Sequence, residues 1–530
     1  MSSTFKLYLM RAGTPKGGLP SFDKIVAVEQ PVFTRPSFVG TINDIKVMYA
    51  KRHGSISIGL LGMVTSWASS AIWLSNGELY TFGDYALGDG DADAPRIYPA
   101  LVNVMEDGET TARRIQQVTM FWDTTNALDS LGQVWACHDN TYGQYGMGAD
   151  YNNRPPIDGR DWGWWEMEFG WGAGHFLGEH EFIKISAGAA HVMGLRSDGT
   201  LWGWGLSWGG YLVADGNRQC EKGLGSVEQG GPVLGGGYVS LYPEQEFLGK
   251  TDWVDVASGW NFTLAIDSSG RLWGTGNASF GNMGIPYYAG LPFAPPHKSI
   301  FTQIKHPFGS GESDNDWVKV KVGEVHAIIQ KADGRLFGLG DNNEGQLGLG
   351  ANWQDESIEP EQSGIAWTLH GGLGNSGIWG GLQGVECWDL GGFGYLWSAV
   401  AGGGWEGHQV QDFACTSYGT MVLLTDGRLM STGMNYAGEQ GIDSNWNEIF
   451  RFGPVGSVYD NTFGFISFHE PDPPHRFTQI ADCGYEGFMA VKEDRSIWVW
   501  GYVPGAYDMP GYVDDQPNFF VADWGDMQSL

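Results

Sequence analysis

A turn motif that returns seven times along the chain narrows its fold more than any other feature. It reads Ser75-Asn76-Gly77-Glu78-Leu79-Tyr80-Thr81-Phe82-Gly83 and comes back as Ser197-Asp198-Gly199-Thr200-Leu201-Trp202-Gly203-Trp204-Gly205. Further copies run over 268–276, 332–340 and 425–433, with degraded ones over 130–135 and 493–501. The turn glycines fall at 77, 132, 199, 270, 334 and 427, with Arg495 in the last copy, so the spacings are 55, 67, 71, 64, 93 and 68. Self-similarity of this kind marks a repeat architecture, in which no single unit buries its own faces.

The motif predicts antiparallel hairpins. Asn-Gly and Asp-Gly supply the positive φ angles of a two-residue turn. An apolar run precedes the turn, as in Val192-Met193-Gly194-Leu195 or Phe262-Thr263-Leu264-Ala265-Ile266. Leu-Trp or Leu-Phe follows it, with bulky side chains suited to a half-buried pleated surface. Glycines between the aromatics predict close approach of neighbouring sheets. Composition agrees: 83 of 530 residues are Gly, more than twice the usual share of roughly 7%. Each Gly inside a helix costs about 1 kcal/mol, and 25 Trp with 17% charged residues is the opposite of a disordered composition. Hairpins of this sort are best satisfied by stacking in a ring, which also removes exposed sheet edges.

The segment Ile185-Ser186-Ala187-Gly188-Ala189-Ala190-His191, followed by the turn at Asp198-Gly199 and by Leu201-Trp202-Gly203-Trp204-Gly205, resembles the repeat of RCC1-type β-propellers. Val322-Gly323-Glu324-Val325-His326-Ala327, the Asp333-Gly334 turn and Gly340-Asp341-Asn342-Asn343-Glu344-Gly345-Gln346-Leu347-Gly348 make the fullest copy. Partial copies of its last element stand at 140–148 and 435–441. The resemblance covers about residues 60 to 502. It implies an all-β fold, a seven-bladed β-propeller of four-stranded antiparallel blades with long loop insertions. The expected organisation is an extended N-terminal arm with a candidate closing strand over 1–60, the propeller over 61–505, and a C-terminal closing segment over 506–530. The segments Ile42–Tyr49 and Phe519–Trp524 read as strands, one of which is expected to complete a blade begun at the other terminus.

Long repeats mean insertions, and insertions in a closed ring leave through loops, where such scaffolds place binding surfaces. The two most unusual are Asp161-Trp162-Gly163-Trp164-Trp165-Glu166-Met167-Glu168-Phe169-Gly170-Trp171 and residues 351–411, which hold Trp379 and Trp405. Either these loops fold back to cap the ring, or they expose an aromatic platform, since Trp dominates interface hot spots. Trp162, Trp164, Trp165, Trp171, Trp379 and Trp405 are therefore the candidate interaction surface.

Net charge is −31, from 30 Lys and Arg against 61 Asp and Glu. That disfavours a grip on nucleic acid, which needs clustered basic residues, and docking on anionic membranes. Five scattered cysteines show no metal or disulfide spacing. No window is apolar enough to span a membrane, and the N-terminal apolar stretch is too short for a signal peptide, so the expected localisation is cytoplasmic or in a virion. The phosphate-binding G-x-x-x-x-G-K-[ST] and the H-E-x-x-H motif are both absent. His175-Phe176-Leu177-Gly178-Glu179-His180-Glu181 matches no familiar metal spacing, and Asp89-Gly90-Asp91-Ala92-Asp93 lacks the downstream Glu of a calcium loop, with Ala100 in its place. His191 and His326 are read as satisfying backbone groups between blades, and the sequon Asn261-Phe262-Thr263 as an inner strand.

The resemblance implies two sharper activities. Nucleotide exchange on a small GTPase would suit the acidity, but no wedge residues are assignable. Ultraviolet sensing by repeated Gly-Trp-Arg-His-Thr is rejected, because Gly259-Trp260-Asn261-Phe262-Thr263 occurs once and without the Arg. The expectation is a non-enzymatic RCC1-like propeller without cofactor or metal. It would bind protein partners as an interaction or structural subunit of a large assembly, such as a tail- or fibre-associated protein of a phage or virus particle. The alternatives are a guanine-nucleotide-exchange-like regulator and a glycan-binding module.

Overall fold

The computed structural model describes residues 60–66, 69–83, 96–104, 111–121, 124–138, 143–146, 165–166, 181–207, 222, 233–234, 237–277, 298–305, 313–340, 346–347, 388–389, 409–434, 459–465, 476–483, 487–493, 497–501 and 520–521. Among them, strands hydrogen-bond into seven sheets, numbered here one to seven in chain order. Each sheet lays its first strand against its second, the second against its third and the third against a fourth, all antiparallel; in sheet three that fourth is Gly237–Gln245, with Val233–Leu234 on its outer side. The chain is an all-β propeller. Its first strands are Leu60–Thr65, Ile115–Phe121, Phe182–Ala187, Trp253–Ser258, Trp317–Val322, Val410–Cys415 and Phe477–Ile480. Those of sheets one to six converge on a cavity of about 100 Å³ lined by Val64, Thr119, Ser186, Val256, Lys321 and Cys415 among others. The cores lie between sheets. Phe262, Leu264 and Ile266 of sheet four pack with Trp317, Val320, Phe337 and Leu339 of sheet five, and comparable layers join one to two, two to three, three to four and five to six.

The hairpin turns differ from the two-residue form expected of Asn-Gly and Asp-Gly. In sheet one Gly77 N–H donates to Leu74 O at 2.8 Å and Leu74 N–H to Glu78 O at 2.9 Å, which leaves a three-residue loop. Only the glycine is left-handed, at φ 87°; Glu181 is the one described non-glycine with positive φ. The Asn or Asp stays right-handed because its side chain caps the turn, accepting the N–H two residues on. Asn76, Asp198, Asp333 and Asp426 all do this, at 3.0–3.1 Å. The degraded copy at Leu131 and the Ser269 copy reach the same end differently. There the carboxylate sits two residues earlier, and Asp129 and Asp267 accept the equivalent Gln133 and Arg271 N–H groups at 3.0 and 3.1 Å. Their second oxygens accept the indoles of Trp135 and Trp273.

The turns also join the sheets. Gly77, Gly132, Gly199, Gly270 and Gly427 each accept, on the carbonyl, the first N–H of the next sheet's first strand. Hence the turns and the starts of the first strands share one end of the ring, the turn end. The glycines expected to let sheets approach lie elsewhere. Gly205, between strand residues, is a positive-φ bulge position, whereas a Cβ on Gly188, Gly259 or Gly323 would strike the carbonyl of Gly259, Gly323 or Thr416 in the following sheet. At the C-terminus, Phe520–Val521 pairs with Trp498 and Val499. It therefore completes the sheet of its own terminus, and Ile42–Tyr49, the other candidate for a closing strand, lies outside the described residues. Sheet seven meets sheet one through a parallel pairing of Asp482 and Cys483 with Val64 and Thr65. Residues 1–59 lie outside the described residues.

Candidate interaction surface

A ring of side-chain clasps lies just inside the turn end. Each uses the third residue of a first strand, or its neighbour, to reach the next sheet. Gln117 exchanges two hydrogen bonds with the backbone of Ile185, at 2.8 and 2.9 Å. Lys184 pairs with Asp255, and Asp255 also accepts Val320 N–H at 3.0 Å. Lys319 reaches Asp412 at 2.5 Å, and Gln411 donates to Thr478 O at 3.0 Å. The clasps neutralise one another, so the rim beneath the turn end offers little net charge.

On top of that rim sit apolar side chains. In the first strands the ladder slips between the first and third residues, and the extra residue of such a bulge is left unpaired. Leu61, Ile183, Val254 and Val318 occupy this second position and are 48–58% exposed. Gln116, Gln411 and Thr478 hold it in the other sheets. The remaining exposed large hydrophobics of the described residues are Leu131, in a turn, and Phe247 and Leu248, in the link before Trp253. All seven therefore lie at the turn end. Sequence reasoning passed over this arc; its signal was the Phe-Ile-Lys, Trp-Val-Asp and Trp-Val-Lys starts, in which two adjacent apolar residues defy strand alternation.

Of the Trp candidates, Trp162, Trp164, Trp171, Trp379 and Trp405 lie outside the described residues. Trp165 is placed by its backbone in a short strand that pairs with Ala136. The Asp89–Asp93 segment and residues 175–180 are likewise outside. Among the described residues no group of three or more His, Cys, Asp or Glu is arranged to hold a metal, and no helix is long and apolar enough to cross a membrane.

The buried titratable groups serve the seams. His191 Nε2 meets Thr263 Oγ1 of the next sheet at 3.0 Å, and His326 Nε2 meets Thr420 Oγ1 at 3.1 Å. Both Nε2 atoms meet hydroxyls, and at His326 backbone groups of Ser417 and Gly419 also act on the ring, as expected of a residue that satisfies backbone groups between blades. Thr420 donates its own proton to Gln346 O at 2.7 Å, so its oxygen accepts from His326 Nε2–H, an assignment made from the network. Burial drives both imidazoles down from 6.5 to about 3, with Lys222 adding to the effect on His191 and hydrogen bonds at Ser417 and Gly419 opposing it for His326. Neither is poised for acid–base work near neutrality. Glu324 is pushed upward by burial, against hydrogen bonds from Ser417 and Tyr418. Trp260, in the segment weighed for light sensing, instead lends its backbone to Ala189 and Glu324 on either side.

Residues 182–207 and 253–282, which span the hairpins of sheets three and four, match the regulator of chromosome condensation (RCC1) repeat. The chain carries RCC1-type repeats. The mouse regulator of chromosome condensation is 27% identical over 371 residues, 66% of this chain and 78% of that protein. The ultraviolet-B receptor UVR8 of Arabidopsis thaliana is 31% identical over 45% of this chain and 44% of its own length. Prp20p from Saccharomyces cerevisiae, described with its binding to Gsp1p and histones, shares the fold of this RCC1-repeat propeller. The TM-score is 0.53 at 16% identity, over 83% of this chain and 85% of that one.

Proposed function

We propose that this chain is a seven-bladed, non-enzymatic propeller that binds a protein partner at the turn end of its ring. The seven sheets, joined one to the next and seven to one, support the blade count. In this reading 61–505 form the ring, 1–60 an arm and 506–530 a closing segment. The observation that carries the reading is the gathering of every exposed large hydrophobic of the described residues at that one end. Exposed apolar side chains gathered on a rigid, internally neutralised rim are what a protein interface needs at its centre. The relatives favour the protein-interaction part of the expectation. The virus-particle and glycan parts have no support in those named above.

The test is to capture partners from the native source with the parent chain and with a triple Ile183→Ser, Val254→Ser, Val318→Ser variant. Partners held by the parent should be lost from the variant at an unchanged melting temperature. Equal capture by both would sink the turn-end reading, and a second variant, Trp164→Ala with Trp165→Ala, asks whether the Trp-rich insertion binds instead. Regulation of a small GTPase is the second reading, favoured by the repeat family and the acidity. It predicts faster release of bound guanine nucleotide from the GTPase on adding the chain, measured by fluorescence.

A further inference from the structure

Asn76-Gly77 is the one Asn-Gly dipeptide in the chain. Such a pair carries a latent reaction. The backbone nitrogen of the glycine gives up its proton and attacks Cγ of the asparagine, the bond from Cγ to the amide nitrogen breaks, and ammonia leaves. Water then opens the resulting succinimide at either carbonyl, giving Asp or isoaspartate, with no oxidant or reductant needed. Glycine favours the attack because it has no Cβ to shield its nitrogen.

The fold holds both reactants. Gly77 N–H, the nucleophile, is spent on Leu74 O at 2.8 Å. The Asn76 side-chain oxygen is held by Glu78 N–H at 3.1 Å. Gly77 is also pressed against the next sheet, since a Cβ on it would lie 2.6 Å from Arg114 Cα. Its carbonyl accepts Ile115 N–H at 2.9 Å, and Trp73 Nε1 donates to Gln116 O across the same seam at 2.8 Å. The leaving group has no such support: Asn76 Nδ2 is buried with no hydrogen-bond partner. We propose that Asn76 is a conditional modification site, inert while sheets one and two stay docked and deamidating when their seam opens.

The two products have opposite consequences. Asp at this position is what Asp198, Asp333 and Asp426 already are, and each caps the same turn N–H. Isoaspartate adds a backbone carbon between residues 76 and 77, which carries the Gly77 carbonyl away from Ile115. The reaction thus records openings of the first seam, and its isoaspartate branch makes them permanent.

The experiment incubates the full chain in mildly alkaline buffer, native and in urea. The peptide containing Asn76 is followed by mass and by labelling with an isoaspartyl methyltransferase. Native conversion should be about tenfold slower or more, because it waits on local opening; equal rates would overturn the proposal. Trp73→Phe, which removes one seam bond, should raise the native rate several-fold and leave the rate in urea unchanged, and an unaltered native rate would overturn the role of the seam. N76D should melt like the parent; a lowered melting point would overturn the claim that this product is tolerated.

Discussion

The junctions from sheet three to five and the junction from five to six are built from the same parts and end differently. Between three, four and five, each turn glycine accepts a first-strand N–H, each clasp is filled, and each Gly of the inner tier abuts a carbonyl. Between five and six lies the longest spacing of the turn glycines, 93 residues from Gly334 to Gly427. There Gly334 has open space where a Cβ would point, and among the described residues no first-strand N–H reaches it. What survives is the axial part: Gly323 against Thr416, His326 to Thr420, and Lys319 with Lys321 on Asp412. At this longest spacing the outer lock of the seam is missing among the described residues, while the inner contacts still join the two sheets.

Substitutions at the two glycines test this most strongly. Gly323→Ala forces a methyl into the Thr416 carbonyl and should cost about 3 kcal/mol by overpacking alone. Gly334→Ala meets nothing and should cost about 1–2 kcal/mol for its left-handed φ of 91°. Urea midpoints compare them, and equal losses would mean that seam five to six is locked like the others.

The clasps give the next contrast. Asp255 serves Lys184, Val256 N–H and Val320 N–H from a buried site, so Asp255→Ala should cost about 3 kcal/mol by stranding donors in three sheets. Asp412 is 30% exposed, and Asp412→Ala should cost about 1 kcal/mol or less. Raised salt should weaken the second pair more than the first.

A pH slope is common to both seams. His191 and His326 fold with pKa values of about 3 against 6.5 when free, so below 6.5 the unfolded chain binds protons that the folded chain refuses. Stability should be flat above pH 6.5 and fall on acidification, by up to about 1.4 kcal/mol per pH unit for each imidazole. Measured between pH 6.5 and 5, above the carboxylate range, His326→Gln should remove about half the slope. An unchanged slope would remove His326 from the account.

Repeat period, strand direction and the family were legible in the residues. A Gly that must take positive φ and a Leu-Trp pair that must be half buried are demands a residue makes by itself. The turn length was not, since Asn and Asp tolerate left-handed φ and can also cap from the right-handed side; which they do depends on hydrogen bonds that exist only once the hairpin closes. The move of the capping carboxylate from the position of Leu131 to Asp129 was likewise written in the chain, but only the fold shows that the two positions reach one N–H group. For the site, attention went to the Trp-rich insertions because Trp is conspicuous, and the aliphatic arc at Ile183, Val254 and Val318 escaped notice because each member is an ordinary strand residue.

By itself, then, the sequence determined a chain of antiparallel hairpins that must stack, through local conformational preferences and the apolar surface each hairpin cannot bury alone. Only the tertiary structure decided which glycines serve the seams, which hydroxyls the buried histidines meet, and that the exposed aliphatics collect at one end of the ring. Those outcomes depend on residues one repeat apart, 72 positions for His191 and Thr263 and 94 for His326 and Thr420, meeting across a sheet boundary.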